Sequence, residues 1–443
     1  MGLLPLTYCR PDYVDKDEFR RSEGSAESSA ESDQERSASL ESGRSGTSSG
    51  IPDALTFNKI MNGGTCPPCT VRDFMNYLIY IEHSAENLQF FLWYHDYVAR
   101  FHKAPASEIA LAPEWAQAME EEAIARIQRA VAEKAKKVSP VAMGIFKGSD
   151  FETIPEIHVE SRDPFSTPPR SSAGDSVSLS ESQLTTYTNQ AGDAFSVAGV
   201  KRPFTIQPFR AEINRVIATY IIEGSPRQLN LSAREQKAVV QALSYTTHPS
   251  ALRTLSRNIE NTLRRQAHPN FIRWTICNGN PARVTFARGL GVGSILVAAT
   301  GSVLLTLSRA GRGWRALFAV LWMFGIATLI TALKGMCVVL HGLHHRHVRP
   351  WELFADGDGD SDGDGKRSFD SFGSCNSYED EPWVVRYERR FYVRKVFDRE
   401  VWIQEPALRQ IQDTIFLQSL LSALLGAGVL TAIFVSVPGG DFF

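Results

Sequence analysis

Four histidines lie close together in the C-terminal third of the chain, within the segment HGLHHRH that covers residues 341–347. Imidazole is the commonest metal ligand among side chains, so an H-x-x-H-H spacing could bring several rings to one metal ion. Such a centre could activate water or carry out redox chemistry. The three candidate ligands are His341, His344 and His345.

The remaining histidines argue against a metal centre. The segment is similar to one histidine box of the membrane di-iron desaturases and hydroxylases, but two metal ions need several such boxes. The chain has ten histidines, and the six outside residues 341–347 form no second box. The favoured interpretation is a polar, partly basic cap where a membrane span ends. No metal and no cofactor are predicted, and a metal-dependent membrane enzyme remains the third hypothesis.

Two further motifs match part of a known binding or redox sequence, but the residues around them do not support such a site. The run DGDGDSDGDG at residues 356–365 resembles a calcium loop counted from Asp358, but the twelfth position is Phe369 instead of Glu. The CPPC of residues 66–69 has redox spacing, yet no βαβ pattern surrounds it, so a proline turn before a helix is predicted. Since no nucleophile motif or phosphate loop is found either, the chain is not predicted to be an enzyme.

Composition narrows the class of protein. The formal net charge is −2 over 443 residues, so a nucleic-acid binder is not expected. Six cysteines are too sparse for a disulfide framework and favour a reducing compartment. Residues 22–50 contain 11 serines without apolar periodicity, which predicts a disordered tail over 1–50.

Apolar spacing predicts an all-α bundle in two pieces. One helical face runs through positions 74, 78, 81, 85, 88 and 92, which indicates helices at about 71–82 and 85–101. The insert at 104–202 is expected to hold an amphipathic helix at about 114–137 and then disordered residues. Helical patterning resumes over 203–280.

Three stretches without a charged residue indicate membrane helices. They contain 19, 18 and 23 residues, enough to cross a hydrocarbon layer of roughly 30 Å. The charge-free stretches are 289–307, 316–333 and 415–437, and the predicted spans are 289–307, 316–338 and 415–437. Residues 341–412 are expected to form a loop that carries the acidic linker 356–365.

The distribution of Lys and Arg predicts an orientation. Both accumulate before the first and third spans, and the C-terminal tail has neither, which favours a cytosolic N-terminal region and an outside C-terminus. The plasma membrane is the expected location. The short loop with Arg309, Arg312 and Arg315 would then lie outside, against the positive-inside rule. A re-entrant pair formed by the first two segments would remove that conflict, so the topology stays open.

The segment FMNYLIYIEHSAENLQFFLWYHDYV, residues 74–98, resembles the early core of the regulator of G-protein signalling (RGS) domain. In that family a short helix ends in a small turn, and an acid–Asn pair opens an aromatic-rich helix. Glu86 and Asn87 match the pair. The later segments PFRAEINRVIATYIIEGSPRQLNLSAREQKAVVQAL and HPSALRTLSRNIENTLR resemble the family's middle and final helices. The resemblance places an RGS-like domain at 51–103 plus 203–280.

The resemblance implies binding to the switch loops of a G-protein α subunit, with no chemistry by the domain itself. Glu86 and Asn87 are the implied contacts, joined at a second surface by Thr247 and His248. This chain departs from the family there, because Thr247 and Ala251 stand where active members have an acid and an Arg. A further contact Asn falls near Ile206 or Gln207. From spacing alone, Asn87 could instead complete the first turn of its helix.

Two hypotheses follow from the resemblance. The first is a membrane-tethered regulator that binds a G-protein α subunit and accelerates its GTP hydrolysis. The chain is similar in layout to a fungal, membrane-anchored subgroup that includes the yeast bud-site-selection RGS protein. The second is an RGS-like membrane scaffold in cell polarity, without GTPase activation and with an integral-membrane partner, which the missing acid and Arg and the membrane-embedded third of the chain favour.

Overall fold

The protein is mostly helical and forms two compact units. The computed structural model describes residues 8–16, 18, 19, 21, 50–116, 119, 125, 129, 181–200, 203, 206–225, 227–355 and 382–440. The first unit consists of residues 1–88, 259–369 and 376–443, and the second of residues 89–258 and 370–375. The RGS-like region is therefore divided between the two units. Residues 181–200 of the insert, which were expected to be disordered, are mostly helical.

The helices of the N-terminal part begin with a short element and include one long aromatic-rich helix. They are α1 (Phe57–Met61), α2 (Val71–Tyr77), α3 (Ala85–Lys103), α4 (Ala106–Ile109), α5 (Glu181–Val197), α6 (Arg210–Val216), α7 (Ala233–Tyr245), α8 (Arg253–Thr262) and α9 (His268–Ile276). Short 3-10 helices cover Asp53–Leu55 and Pro249–Leu252, and π-helical turns extend three helices at Leu78–Glu82, Ile217–Ile221 and Leu263–Ala267.

The C-terminal part contains the long apolar helices and a small sheet. Its elements are α10 (Pro281–Leu307), a 3-10 helix (Arg312–Leu317), α11 (Phe318–Leu333), α12 (Val338–Gly342), β1 (His345–His347), α13 (Pro350–Ala355), α14 (Pro382–Glu388), α15 (Tyr392–Val396), β2 (Glu400–Trp402) and α16 (Pro406–Ser436). The two strands pair antiparallel, with Arg346 opposite Val401. The loop expected at 341–412 thus holds structure, whereas its acidic linker lies outside the described residues.

Helix starts follow local capping chemistry. At α2 the Thr70 side chain accepts from the backbone of Asp73, whose carboxylate accepts from Thr70, and Ser232 and Glu235 repeat this capping box at α7. These boxes satisfy backbone N–H groups that have no partner inside the helix. The helices predicted at 71–82 and 85–101 are confirmed, the first with its last five residues in a π-helical turn.

In the first unit, chain segments from both sides of the insert share one core. The rings of Phe74 in α2 and Phe271 in α9 lie 4.9 Å apart between centroids. The His268 ring nitrogen Nε2 is 2.8 Å from the backbone oxygen of Leu55. Burial lowers the pKa of His268 to about 4, so this core histidine is neutral at physiological pH.

In the second unit, the insert supplies a helix where disorder was predicted. In α5, Ala191 and Phe195 are buried, and α5 packs against α6. The guanidinium of Arg215 lies 5.8 Å from the centroid of the Tyr187 ring. The expectation of disorder is therefore wrong for 181–197, because a few apolar residues in a polar sequence suffice for one buried stripe. Most of the helix predicted at 114–137 lies outside the described residues; residues 119, 125 and 129 are helical, whereas residues 114–116 are not.

The N-terminal segment of residues 8–16 is bound to the first unit, although residues 1–50 were predicted to be a disordered tail. Arg10 donates to the backbone oxygens of Lys334 (2.9 Å) and Arg273 (2.6 Å), just after α11 and in the last turn of α9. The Asn270 side chain exchanges two hydrogen bonds with the backbone of Val14. These bonds join groups 256 to 324 residues apart in the sequence, which no local pattern reveals. The serine-rich residues 22–49 lie outside the described residues.

Three helices are long and apolar enough to cross a membrane, as judged by length and composition. They cover Pro281–Leu307, Arg312–Leu333 and Pro406–Ser436, and 22, 33 and 17% of their most apolar windows is buried in the protein. Most of each apolar surface therefore faces outward, as lipid contact requires. The first and third helices begin 8 and 9 residues before the predicted spans, and the second ends at Leu333 instead of 338.

Small residues and one arginine hold the apolar helices together. The backbones of α10 and α11 approach at Gly291 and Gly325, where a Cβ on Gly325 would lie 3.1 Å from the backbone oxygen of Gly291. Arg315 is buried and donates to the backbone oxygens of Phe434 (2.9 Å) and Val437 (2.6 Å) at the end of α16. A cation at a helix C-terminus complements the carbonyl groups exposed there. Since Arg315 directly precedes α11 and contacts the C-terminal end of α16, the two helices run antiparallel.

We expect Gly325→Ala to destabilise the apolar helices, because its Cβ would lie 2.8 Å from Ile295 Cγ1 and against the Gly291 backbone. Overpacking of this kind costs about 1–3 kcal/mol, more than the gain of about 1 kcal/mol from replacing a helical glycine by alanine. The matched control is Gly293→Ala in α10, where a Cβ would meet nothing within 4 Å. Thermal unfolding of the full chain in detergent should show a lower melting temperature only for Gly325→Ala. A melting temperature at or above wild type for this variant would contradict the close packing.

Candidate functional site: the turn at residues 83–87

The 83–87 turn, defined as His83 to Asn87, joins α2 to α3 through an unusual backbone. The π-helical turn Leu78–Glu82 ends at His83, which adopts φ 52° in the left-handed region. For a residue with a Cβ this conformation costs roughly 1–2 kcal/mol. The His83 ring Nδ1 lies 3.0 Å from the backbone oxygen of Ile79, and the Ser84 N–H donates to Leu78 at 2.9 Å. Local hydrogen bonds thus fix the direction in which α3 departs.

Glu86 and Asn87 occupy the first turn of α3, and both are half-buried. The Asn87 backbone N–H donates to Ser84 at 3.3 Å. Within the described part of the chain, no group hydrogen-bonds the side-chain amide of Asn87. The alternative that this amide completes the helix turn is therefore not observed. An amide carries two donors and an acceptor, so Asn87 retains its full capacity for a partner.

A buried carboxyl lies directly before the turn. Glu82 is 8% exposed, and Gln266 Nε2 donates to its Oε1 at 2.5 Å. Lys16 Nζ donates to the Glu82 backbone oxygen. Burial raises the pKa of Glu82 above its ordinary value, against the opposing effects of Lys16, Gln266 and Tyr77. Polar contacts of Glu82 with Lys16 and Gln266 therefore support the turn, and these three residues come from distant parts of the chain.

In the second unit, one carboxylate binds two side chains of the remainder of α3. Glu212 in α6 accepts from Trp93 Nε1 at 2.7 Å and from Arg100 at 2.8 and 2.5 Å. The Phe90 and Tyr220 rings meet edge to face, with centroids 5.8 Å apart. The aromatic run that follows Asn87 is thus core, and segments from both sides of the insert build it.

The second predicted contact surface is bound into the second unit. Thr247 is fully buried, and its backbone oxygen accepts from Tyr97 at 2.5 Å. The His248 Nδ1 lies 2.8 Å from Ser250 Oγ and accepts from the Ser250 N–H, which caps the 3-10 helix Pro249–Leu252. Burial lowers the pKa of His248. Thr247 is therefore a buried residue and not the exposed contact that the sequence suggested.

The residues near the further expected contact differ in exposure. Ile206 is 75% exposed, whereas Gln207 donates to the Tyr245 backbone oxygen at 2.9 Å and accepts from Arg210. Burial lowers the pKa of Arg210 to about 10, still far above neutral pH. Ile206 is thus the more exposed of the two, but its side chain offers no hydrogen bond, and the half-buried Gln207 is bonded within the unit.

The four clustered histidines separate in the structure. His341 and His344 come together with Asp413 of α16, whereas His345 and His347 belong to β1. His347 Nε2 lies 3.2 Å from Arg283 Nη1. Asp413 could not be recognised as a ligand from the sequence, because it follows 69 residues after His344 and carries no motif of its own. The two cysteines of CPPC are free thiols that precede α2.

No protein-family model, curated protein or solved structure matches the chain. The likeness to the RGS family remains a prediction from the sequence. A function for the chain can be argued from the geometry of the 83–87 turn and from the three apolar helices.

We expect the pH dependence of stability to report on Glu82. A group whose folded pKa is raised contributes stability that is fully present below its unfolded pKa and is lost as pH rises through the folded pKa. Since burial raises the pKa of Glu82, its contribution is present below about pH 4.5 and disappears above that range. Glu82→Gln should remove this loss and raise the melting temperature at pH 7 by a few degrees. This corresponds to a gain on the order of 1 kcal/mol in the free energy of unfolding.

The matched control is Asp53→Asn, an exposed acid of the same unit. Melting temperatures of the full chain in detergent between pH 4 and pH 8 provide the measurement. Equal pH profiles for wild type and Glu82→Gln would show that the buried carboxyl does not carry the effect.

Proposed function

We propose that the chain is a membrane-tethered regulator of heterotrimeric G-protein signalling that binds a Gα subunit and accelerates its GTP hydrolysis. The observation that carries the proposal is the 83–87 turn, where the Asn87 amide is half-buried and has no hydrogen-bond partner among the described residues. Glu86 lies beside it in the same helical turn. This pair matches the acid–Asn contact of the RGS family.

The proposed mechanism needs no chemistry from this chain. The turn binds the switch loops of the α subunit and holds them in the shape required for hydrolysis. The α subunit's own Arg and Gln then stabilise the transition state and orient the attacking water. The Asn87 amide suits this role because it can donate to and accept from the side-chain amide of a glutamine.

Rigidity of the turn supports the same proposal. The left-handed His83, the Ile79 contact and the buried Glu82 fix the backbone before α3 begins. A contact that is already ordered loses little conformational entropy on binding. The turn can therefore select one conformation of a mobile switch loop.

The apolar helices supply the tether. Confinement of regulator and α subunit to one membrane surface raises their effective concentration, so a weak contact suffices. We propose a plasma-membrane protein with a cytosolic N-terminal region and an outside C-terminus. The arginine loop that conflicted with this orientation includes Arg315, whose charge is bound to the carbonyl groups that end α16. Capping of α16 gives this arginine a role independent of topology.

The second surface favours an alternative, a membrane scaffold in cell polarity without GTPase activation. Thr247 is buried, and His248 is bonded within its own turn, so charged contacts of active RGS domains have no counterpart at these positions. Each missing charge-assisted contact weakens binding by about 1.5–3 kcal/mol. The scaffold would bind an integral-membrane partner independently of nucleotide.

We expect Asn87→Ala to reduce the acceleration of GTP hydrolysis at least tenfold, a loss of about 1.4 kcal/mol of transition-state stabilisation. The measurement is single-turnover hydrolysis by candidate α subunits, with the full chain in lipid nanodiscs. Asn189→Ala is the matched control, because Asn189 is an exposed asparagine of α5 outside the turn. Circular dichroism should show unchanged helix content for both variants.

Binding to the transition-state mimic of the α subunit separates the two functions. A regulator binds the mimic more tightly than the GDP form, and Asn87→Ala removes the difference. If no α subunit is accelerated and none binds the mimic, the regulator proposal fails. A detergent-stable integral-membrane partner without any nucleotide-dependent α subunit would then support the scaffold.

A further inference from the structure

We propose that His341, His344 and Asp413 bind a divalent transition-metal ion, with Zn²⁺ as the best fit. One ligand atom from each side chain lies within 4.8 Å of the other two. All three residues belong to the first unit and lie outside the 83–87 turn, with Asp413 in the apolar helix α16 itself. The site is independent of the proposed regulatory function.

The spacing of the polar atoms fits an ion better than a direct hydrogen bond. His341 Nε2 and Asp413 Oδ1 are 3.5 Å apart, longer than the usual 2.7–3.2 Å of an N–H···O bond. Two ligands of a tetrahedral Zn²⁺, each bound at 2.0–2.2 Å, are separated by about 3.4 Å. The observed separation therefore matches two atoms that share one ion. Asp413 is 42% exposed on its side chain, so its carboxylate is free to move closer to His344.

The imidazoles carry unused nitrogen atoms. His341 is 6% exposed, and the Nδ1 atoms of His341 and His344 are buried without a hydrogen-bond partner in the described part of the chain. A buried polar atom without a partner is costly and needs an explanation such as a missing ion or water. An ion bound through the Nδ1 of His344 would remove that cost there, whereas His341 would bind the ion through Nε2, the atom that lies 3.5 Å from Asp413 Oδ1.

The backbone holds the two histidines in place before any ion arrives. His341 lies in the last turn of α12, where its N–H donates to Cys337 at 2.9 Å. His344 adopts φ 53°, and its backbone oxygen accepts from the Ile403 N–H at 2.9 Å. Left-handed non-glycine residues persist where the surroundings enforce them, and such residues cluster at binding sites. The strand pair thus directs His344 back toward His341.

The same strand pair positions the third ligand, Asp413. β2 ends at Trp402, and α16 begins four residues later, which places Asp413 in the second turn of α16. The β1–β2 pairing therefore sets the distance between the histidine segment and α16. A bound ion would link α12 to α16 at one end of the apolar helices.

The ligand set indicates the class of ion. Two imidazoles and one carboxylate suit Zn²⁺ and its neighbours in the transition series, whereas Ca²⁺ and Mg²⁺ prefer sites made of oxygen atoms. Three protein ligands leave a fourth position of a tetrahedral ion open to water. The simplest competing explanation is a His341–Asp413 ion pair that holds no metal.

Zinc binding by the full chain tests the proposal. The protein is purified in detergent with an affinity tag that lacks histidine, freed of metal with a chelator, and titrated with Zn²⁺ against a chromophoric competitor. We expect one high-affinity ion per chain. His341→Ala, His344→Ala and Asp413→Asn should each weaken binding at least tenfold. The matched control is His345→Ala, since His345 shares the motif and the unpartnered Nδ1 but not the cluster.

A second measurement guards against variants that fail to fold. Zn²⁺ should raise the melting temperature of wild type and His345→Ala, because a ligand that binds the folded state stabilises it. It should leave that of Asp413→Asn, which preserves the size of the side chain, unchanged. Absence of tight binding in the wild type, or equal affinities in all variants, would overturn the proposal in favour of the ion pair.

Discussion

A hydrogen bond between Gln266 and the buried carboxyl of Glu82 joins residues 184 positions apart, and the 83–87 turn depends on it. Loss of Gln266 would leave the buried carboxyl of Glu82 without this hydrogen bond, at a cost of about 1–3 kcal/mol. The intervening insert opposes this contact only weakly, because each doubling of loop length adds about 0.6 kcal/mol of closure entropy. A long insertion and a well-positioned turn are therefore compatible in one chain.

Glu212 performs the corresponding task in the second unit, where one carboxylate receives both Trp93 and Arg100. Both acids are engaged by groups from the other side of the insert, so each unit is closed by a polar contact within an aromatic core. Such contacts specify a single pairing of segments more strictly than apolar packing, since a shifted register leaves charges and donors without partners. The helix α3 begins at the turn and continues into the second of these cores.

The sequence predicts what local chemistry determines. Apolar spacing located α2 and α3, and charge-free runs located the three apolar helices. Their early starts follow capping signals outside the charge-free runs: Asn280 caps α10 before Pro281, and Glu405 caps α16 before Pro406. The burial of Thr247 beside Tyr97 and the position of Asp413 beside the histidines could not be predicted either, because both bring together residues far apart in the sequence. The Glu86–Asn87 pair was singled out by its resemblance to the acid–Asn pair of the RGS family, and its place in the first turn of α3 agrees with the helix predicted at about 85–101.

The ordered N-terminal segment has a consequence for work with shortened forms of the protein. Arg10 and Lys16 donate to the backbone oxygens of Arg273, Lys334 and Glu82, and the Gln418 side chain donates to Tyr8. A truncation that begins after the serine-rich residues, at the apparent domain boundary near residue 51, deletes all these partners at once. It would also leave the carbonyl groups at the ends of α9 and α11 without their cation. A fragment that starts near residue 51 therefore lacks contacts at the ends of α9 and α11 and at Glu82, directly before the 83–87 turn. Its binding and stability would not represent those of the intact chain.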